Sequence, residues 1–174
     1  MSDFDVNALR QWREERDEFC RNHYASPIPE DHLPAFPGLR YFDADPTLAL
    51  WGPFSAEEGT IEISSSTGGS MKYRLAGRIA LDFGAVSHEL LVLHGEAGEM
   101  FIPFRDATSG TDSYVGGRYA PAVLSGGDEA TVDFNRAINP YCAYDEEFSC
   151  PMAPEENWLA IPVRAGEMSY VAPS

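Results

Sequence analysis

The chain has 174 residues, 44% of them hydrophobic, and carries 28 acidic against 12 basic side chains, a net charge of −16. That length suits a single domain, here residues 1–174, with a real core. The charge excludes nucleic acid and anionic membrane surfaces as partners, because both require clustered Lys and Arg.

Lys72 is the only lysine beside eleven arginines. A surface poor in lysine and rich in carboxylates suits concentrated salt, where self-repulsion is screened and carboxylates hold water. We therefore expect a halophilic, archaeal source, the competing reading being an acidic mesophilic protein. No apolar run approaches the length of a bilayer span. The opening Met-Ser-Asp-Phe-Asp carries neither a basic leader nor an apolar stretch, so we expect a soluble, cytoplasmic protein. Three cysteines, an odd number, argue against a dedicated disulfide framework.

Residues 5–23 place Leu9, Trp12, the stem of Arg16, Phe19 and Cys20 at helical spacing, with Asp3 and Asp5 at the start and Pro27 and Pro29 beyond the end. One amphipathic helix is expected there. Cys20 and His23 share a face, but a cysteine beside phenylalanine on an apolar stripe is read as core rather than as half of a zinc site. Residues 25–53 are rich in proline and aromatics and read as a strap laid over a sheet. From Leu48 onward the period becomes two. Thr60–Ser64 alternates, and Met71, Tyr73, Leu75, Ile79, Leu81 and Phe83 hold one parity around Gly77, a bulge or a corner. Further strands are expected at Glu89–His94, Glu99–Phe104, Ala130–Phe134 and Leu159–Val163, the last at an edge because of Pro162. The fold class is mainly β: an antiparallel barrel or sandwich, one amino-terminal helix, the strap, and long loops over 105–118 and 135–158.

The two loops hold most of the chemistry. Arg105 and Asp106 sit side by side at a strand end, followed by Thr108, Ser109, Gly110 and then Arg118 and Tyr119. Such a turn accepts anions, and a guanidinium offers a planar fork to carboxylate or phosphate. The same groups equally suit mutual neutralisation, Arg105, Asp106, Arg118 and Asp133 pairing beneath the loop. In the second loop Asn135, Arg136, Asn139, Tyr141 and Tyr144 are the candidate ligand-orienting groups, although asparagines in loops commonly hold the loop's own backbone. Asp106 and Asp133 are the candidate general bases should the site catalyse a reaction. Cys142 and Cys150 read as a structural pair, bridged or simply packed. Their spacing matches no common zinc pattern, and no histidine is placed by sequence to activate either thiol. A Gly-rich phosphate loop, His-Glu-x-x-His and a serine elbow are all missing from the sequence, so neither a cofactor nor a metal is expected.

The runs Phe104-Arg105-Asp106-Ala107-Thr108-Ser109-Gly110, Gly117-Arg118-Tyr119, Asp133-Phe134-Asn135-Arg136-Ala137, Asn139-Pro140-Tyr141-Cys142-Ala143-Tyr144, Ser149-Cys150-Pro151, Glu156-Asn157 and Ala165-Gly166-Glu167 resemble the family labelled domain of unknown function 1684. Trp12-Arg13, Ser26-Pro27 and Gly38-Leu39-Arg40-Tyr41-Phe42 fit its leading part. The resemblance implies a fold and the location of a shared pocket, but no activity. It includes Cys142 and Cys150 and leaves out Cys20. Ile138 stands where the family pattern has tyrosine, and Asp145-Glu146-Glu147 is more acidic than its bacterial form.

The expectation is a small anionic ligand held between segments 105–119 and 133–150, the oligomeric state being open. The alternative is a noncatalytic interaction module in which the same polar groups lock the loops. The salt expectation has a direct check: the denaturation midpoint should rise steadily from low to molar KCl, and equal stability at both would contradict a halophilic design.

Overall fold

The computed structural model describes residues 4–174; Asp3, expected to favour the helix start, lies outside them. Helix α1 covers Val6–Asn22 and is capped by Asp5, whose Oδ1 accepts from the backbone N–H groups of Asn7 and Ala8 at 3.0 Å each. A cap of this kind contributes about 1 kcal/mol. At the other end the chain turns extended at His23, and Ser26 Oγ donates to the Cys20 carbonyl at 2.6 Å, satisfying one last-turn acceptor. The buried stripe carries Leu9 and Cys20, and Cys20 packs with Ile28, Phe36 and Tyr144 beneath the strap.

Seven strands follow among the described residues: β1 (Ala49–Ala56), β2 (Thr60–Ser64), β3 (Ser70–Phe83), β4 (Val86–His94), β5 (Met100–Phe104), β6 (Arg118–Gly126) and β7 (Glu129–Asp133). Six of them close an antiparallel barrel in the order β1-β7-β6-β5-β4-β3 and back to β1, while β2 lies outside the closure. Of the two expected β architectures, the barrel is therefore the one adopted. No helix among the described residues is long and apolar enough to cross a membrane.

Closure depends on β3, which shares one edge between two partners. Its first half, Ser70–Arg74, pairs with β2, and Gly77–Ile79 pairs with β1. Between them the register against β4 slips by one residue at Ala76. Gly77, with φ +156°, sits so close to β1 that a Cβ there would lie 2.2 Å from the Ser55 carbonyl oxygen. Glycine at this bulge is a packing requirement. The bulge also corrects the reading of 71–83 as one face. Tyr73 and Leu75 pack outside the barrel with Ile61, Ile63, Leu91 and Leu93, whereas Ile79 and Leu81 point into the core. One inserted residue exchanges the faces of a period-two pattern. Inside, Phe54, Phe104 and Phe134 are accommodated by Ala120, Ala122 and Ala130 on β6 and β7.

Three other expectations are corrected. The strap stops at Leu48, because Ala49–Pro53 pair with Asp133–Glu129 of β7. Strand β6 was not assigned from sequence, since Pro121 interrupts its alternation and Gly116-Gly117 precede it; it pairs along β5, with Phe101 opposite Pro121 and Pro103 opposite Tyr119. Leu159–Val163 forms no strand. It runs beside the segment after β5 through Leu159 N–H to the Arg105 carbonyl at 2.7 Å and Ala107 N–H to the Ile161 carbonyl at 3.0 Å, burying Leu159 and Val163 in the core. Pro162 has no N–H with which to extend that ladder.

Strands β4 and β5 share only two residue pairs, Leu93 with Phe101 and His94 with Met100, and then diverge. The fully buried Asn157 carboxamide fills the gap. Its Oδ1 accepts from Leu91 N–H at 2.8 Å, and its Nδ2 donates to the carbonyls of Leu91 at 3.0 Å and Pro103 at 2.9 Å. A side chain thus replaces one rung of the barrel. Asn157→Leu strands three backbone groups, each carrying a desolvation cost of about 1–3 kcal/mol, and should lower the unfolding free energy by at least ~3 kcal/mol in urea titrations. A loss within experimental error would contradict this role.

Candidate functional site

At one end of the barrel β3, β5 and β7 finish and β1, β4 and β6 begin, so the segments after Phe104 and after Asp133 emerge side by side. They meet through Tyr119 N–H to the Ile138 carbonyl at 2.8 Å and Ile138 N–H to the Tyr119 carbonyl at 2.9 Å. The fully buried Arg118 occupies the centre of this end. Its guanidinium pairs with Asp106 at 3.3 Å and donates to the carbonyls of Val163 at 2.9 Å, Glu167 at 3.2 Å and Ala165, with Phe104 and Phe42 against its faces at 5.1 and 5.6 Å. Burial lowers the Arg118 pKa from its ordinary value, while the Asp106 charge opposes that shift. Asp106 in turn accepts from Val163 N–H at 2.6 Å, Thr108 Oγ1 at 2.9 Å and Ser109 Oγ at 3.3 Å.

A second buried hub is Glu167, 1% exposed, which sequence reasoning did not single out for chemistry. It accepts from Arg16 at 3.0 Å, from Asn139 N–H at 2.9 Å and from the Tyr144 hydroxyl. Burial penalises the Arg16 cation, but Glu167 and its tyrosine neighbours outweigh that cost and hold its pKa above the ordinary value. Burial first, and then the Glu167 charge, keep the Tyr144 phenol well above its ordinary pKa, so it acts as a donor. Asn135, also fully buried, exchanges two 2.8 Å hydrogen bonds with the backbone of Asp45 and donates to Asp133 at 2.9 Å. These bonds tie the strap to the end of β7.

A broad concavity lies elsewhere, on the outer wall of β5 and β6. It is an open groove of about 1170 Å³, bounded by the β4–β5 turn on one side and by residues 138–151 on the other. Phe101 and Pro121 form much of its apolar floor, and Phe101 meets Tyr73 and Tyr119 edge to face at 5.8 and 5.2 Å. The Tyr119 hydroxyl is already committed, donating to the Pro151 carbonyl at 2.7 Å. Tyr141 and Phe148 pack edge to face at 5.3 Å on the loop side. Arg136 and Trp12 line one end, with the guanidinium 5.2 Å from the indole ring, 32% exposed, and 3.7 Å from Asp133. Asn139 also contributes to the lining; its Nδ2 donates to the Met168 carbonyl at 3.0 Å, and its Oδ1 has no hydrogen-bond partner among the described residues.

The expected site residues therefore fall into three places. Tyr119, Arg136, Asn139 and Tyr141 line the groove. Asp106, Arg118, Asn135 and Tyr144 lie in the buried networks, and Asp133 caps the turn that follows β7 through Asn135 N–H at 2.9 Å. Arg105 stands apart, its guanidinium 4.8 Å from the Trp158 ring. The three arginines share no side-chain partner among the described residues. Cys142 and Cys150 are free thiols in contact, the Cys142 N–H lying 3.3 Å from Cys150 Sγ. Four groove residues, Trp12, Tyr73, Phe101 and Phe148, were missed as site candidates: the first three because an aromatic on an alternating strand or helical stripe carries no sign that it faces a cleft, and the loop residue Phe148 because it carries no polar group.

A search of curated proteins finds no match to this chain. Among solved structures, the chain is similar to the solution NMR structure of an uncharacterized protein of Haloarcula marismortui, with 38% identity over 93% of this chain and 92% of that one and a TM-score of 0.73. The family described as "Protein of unknown function (DUF1684)" matches residues 34–168. The motif runs at both loops, the barrel that carries them and this match converge: the chain belongs to the DUF1684 family.

Proposed function

We propose that the groove binds a small amphipathic acid, its anionic head beside Arg136 and its apolar body along Phe101 and Pro121. The observation that carries this reading is the state of Arg136. It is the only guanidinium lining the groove among the described residues, a third exposed, stacked on Trp12 and held by a single long contact to Asp133. In a chain of net charge −16, a cation on an apolar wall draws anions to one spot. Stacking on indole fixes the guanidinium plane and leaves its edge free for a carboxylate. Tyr141 stands in the same lining, its hydroxyl a donor that can orient the head group. Concave, mainly apolar sites with few polar groups are the usual form of small-molecule pockets.

Binding is favoured over catalysis here. Asp106 already accepts from four residues, Arg118, Thr108, Ser109 and Val163, and Asp133 holds Asn135, so neither carboxylate stands poised to take a proton from a ligand in the groove. A salt-adapted, cytoplasmic setting accompanies this proposal. Among the described acids only Asp106 and Glu167 are buried, the structural relative comes from a haloarchaeon, and three free thiols suit a reducing compartment.

A second reading, a scaffold module without a ligand, is favoured by the same internal commitments of Arg118, Asn135 and Tyr144. Calorimetry and thermal shift with aryl and medium-chain alkyl carboxylates distinguish the two. Wild type should bind and gain thermal stability, and Arg136→Ala should lose at least ~10-fold in affinity, about 1.4 kcal/mol, while its unliganded stability stays within ~0.5 kcal/mol of wild type. Arg118→Ala, which leaves Asp106 buried without its cation, should instead cost ~3–5 kcal/mol of stability. Failure of every carboxylate to bind wild type would leave the scaffold reading, and equal affinity in Arg136→Ala would end the assignment of the head-group site.

A further inference from the structure

We propose that Cys142 and Cys150 are an oxidisable pair, converted by a hydroperoxide that enters through the groove into an intramolecular disulfide. The proposal does not depend on which molecule the groove binds. Both thiols are free, and they are 4% and 7% exposed. Cys142 sits in a tight turn, Tyr141–Ala143, and its backbone N–H points at Cys150 Sγ at 3.3 Å. The Tyr114 hydroxyl approaches Cys142 Sγ at 3.6 Å. Cys150 is held from the opposite side: its N–H donates to Ser66 Oγ and its carbonyl accepts from Ser66 N–H, both at 2.9 Å. The two sulfurs therefore belong to separately anchored backbones that bring them together. Cys150 lines the groove, which gives a small oxidant a route to the pair.

The surroundings suit this chemistry. Hydrogen bonds from Cys150, and then from Tyr114 and Ser66, outweigh burial and lower the Cys142 pKa, while Cys150 is correspondingly pushed up because it holds the shared proton. A thiol with a lowered pKa in contact with one whose pKa is raised suits a nucleophile beside a resolving group. Cys20 provides an internal contrast. It lies beneath the strap in a separate apolar cluster, and burial pushes its thiol up to about 11.

In the first step the Cys142 thiolate attacks the O–O bond of the hydroperoxide. Sulfur gains one oxygen as a sulfenic acid, and the other oxygen leaves, protonated by solvent, as water or an alcohol. In the second step Cys150 sulfur attacks the sulfenic sulfur, the S–S bond forms, and the hydroxyl departs as water with the Cys150 proton. Two thiols have then lost two electrons and the peroxide has gained them. The loop closed by the new bond carries Phe148, which packs on Tyr141, so oxidation alters the wall of the groove.

The test treats the reduced full-length protein with hydrogen peroxide and reads intact mass, free thiols in denaturant, and peptide maps. We expect a mass loss of about 2 Da, a fall from three free thiols to one located at Cys20, and full reversal by dithiothreitol. Cys150→Ser should accumulate a sulfenic acid on Cys142 that dimedone traps, and Cys142→Ser should lose the 2 Da product, about 2 Da being two hydrogens. Wild type unfolded in urea supplies the control that needs no variant, and should form the bridge at least ~10-fold more slowly if native anchoring produces the reactivity. Three surviving thiols, a bridge to Cys20, oxygen addition on Cys142 without bridging in wild type, or equal rates in folded and unfolded protein would each overturn the proposal.

Discussion

The buried guanidinium of Arg118 closes one end of the barrel, and the arrangement of the remaining chain follows from that. Residues 159–168 cross this end as irregular backbone; the Ile161 and Gly166 carbonyls accept from Ala107 and Phe42 N–H, but those of Val163, Ala165 and Glu167 have no backbone donor among the described residues. A buried carbonyl without a partner is costly. Arg118 offers a fan of fixed donors and supplies three such carbonyls at once, while Asp106 balances its charge and accepts from the same segment through Val163 N–H. Ion pairs of this kind contribute little net stability compared with an apolar filling, but once built they tolerate no loss of a partner. The aromatic rings of Phe104 and Phe42 complete the enclosure.

A sealed end bears on where the proposed ligand would sit. Small barrels often receive ligands at their mouths, but here that position is occupied by side chains and the interior is filled by Phe54, Phe104, Phe134 and the aliphatic residues around them. The groove proposed as the binding site lies on the outer wall of β5 and β6, roofed on one side by the loop that runs from Ile138 to Pro151. Among the anchors of that loop, Tyr119 pairs with Ile138, the Tyr119 hydroxyl holds Pro151, and Ser66 holds Cys150. Arg16, Glu167 and Tyr144 join the helix, the carboxyl-terminal segment and the start of the loop into one unit, which places Trp12 beside Arg136. The groove and its cation are therefore products of the same polar network that closes the barrel.

Much of the architecture was legible in the residues themselves. Helical spacing with an aspartate cap marked α1, alternation marked β2 and β3, and an isolated glycine in that alternation marked the bulge that lets one strand serve two neighbours. What stayed hidden depends on distant partners. Arg16 and Glu167 are 151 positions apart, and nothing local distinguishes Glu167 from the surface carboxylates around it. Strand β6 was masked by Pro121, and Leu159–Val163 imitated a strand because burial on alternate sides reads the same whether or not a ladder forms. Among the candidate site residues, residue type did not separate Arg118, which binds the protein's own carbonyls, from Arg105 and Arg136, which are partly exposed. That difference lies in burial and not in residue type.

In the proposed arrangement the barrel end is a closed structural plug and a carboxylate reaches the outer wall instead. An amide chemical-shift titration of the isotopically labelled protein with a medium-chain carboxylate addresses it residue by residue. Perturbations should concentrate at Phe101, Val123, Arg136 and Tyr141, with the amides of Arg105, Asp106 and Arg118 unmoved. Perturbations centred on the latter three would place the ligand in the barrel mouth and contradict it.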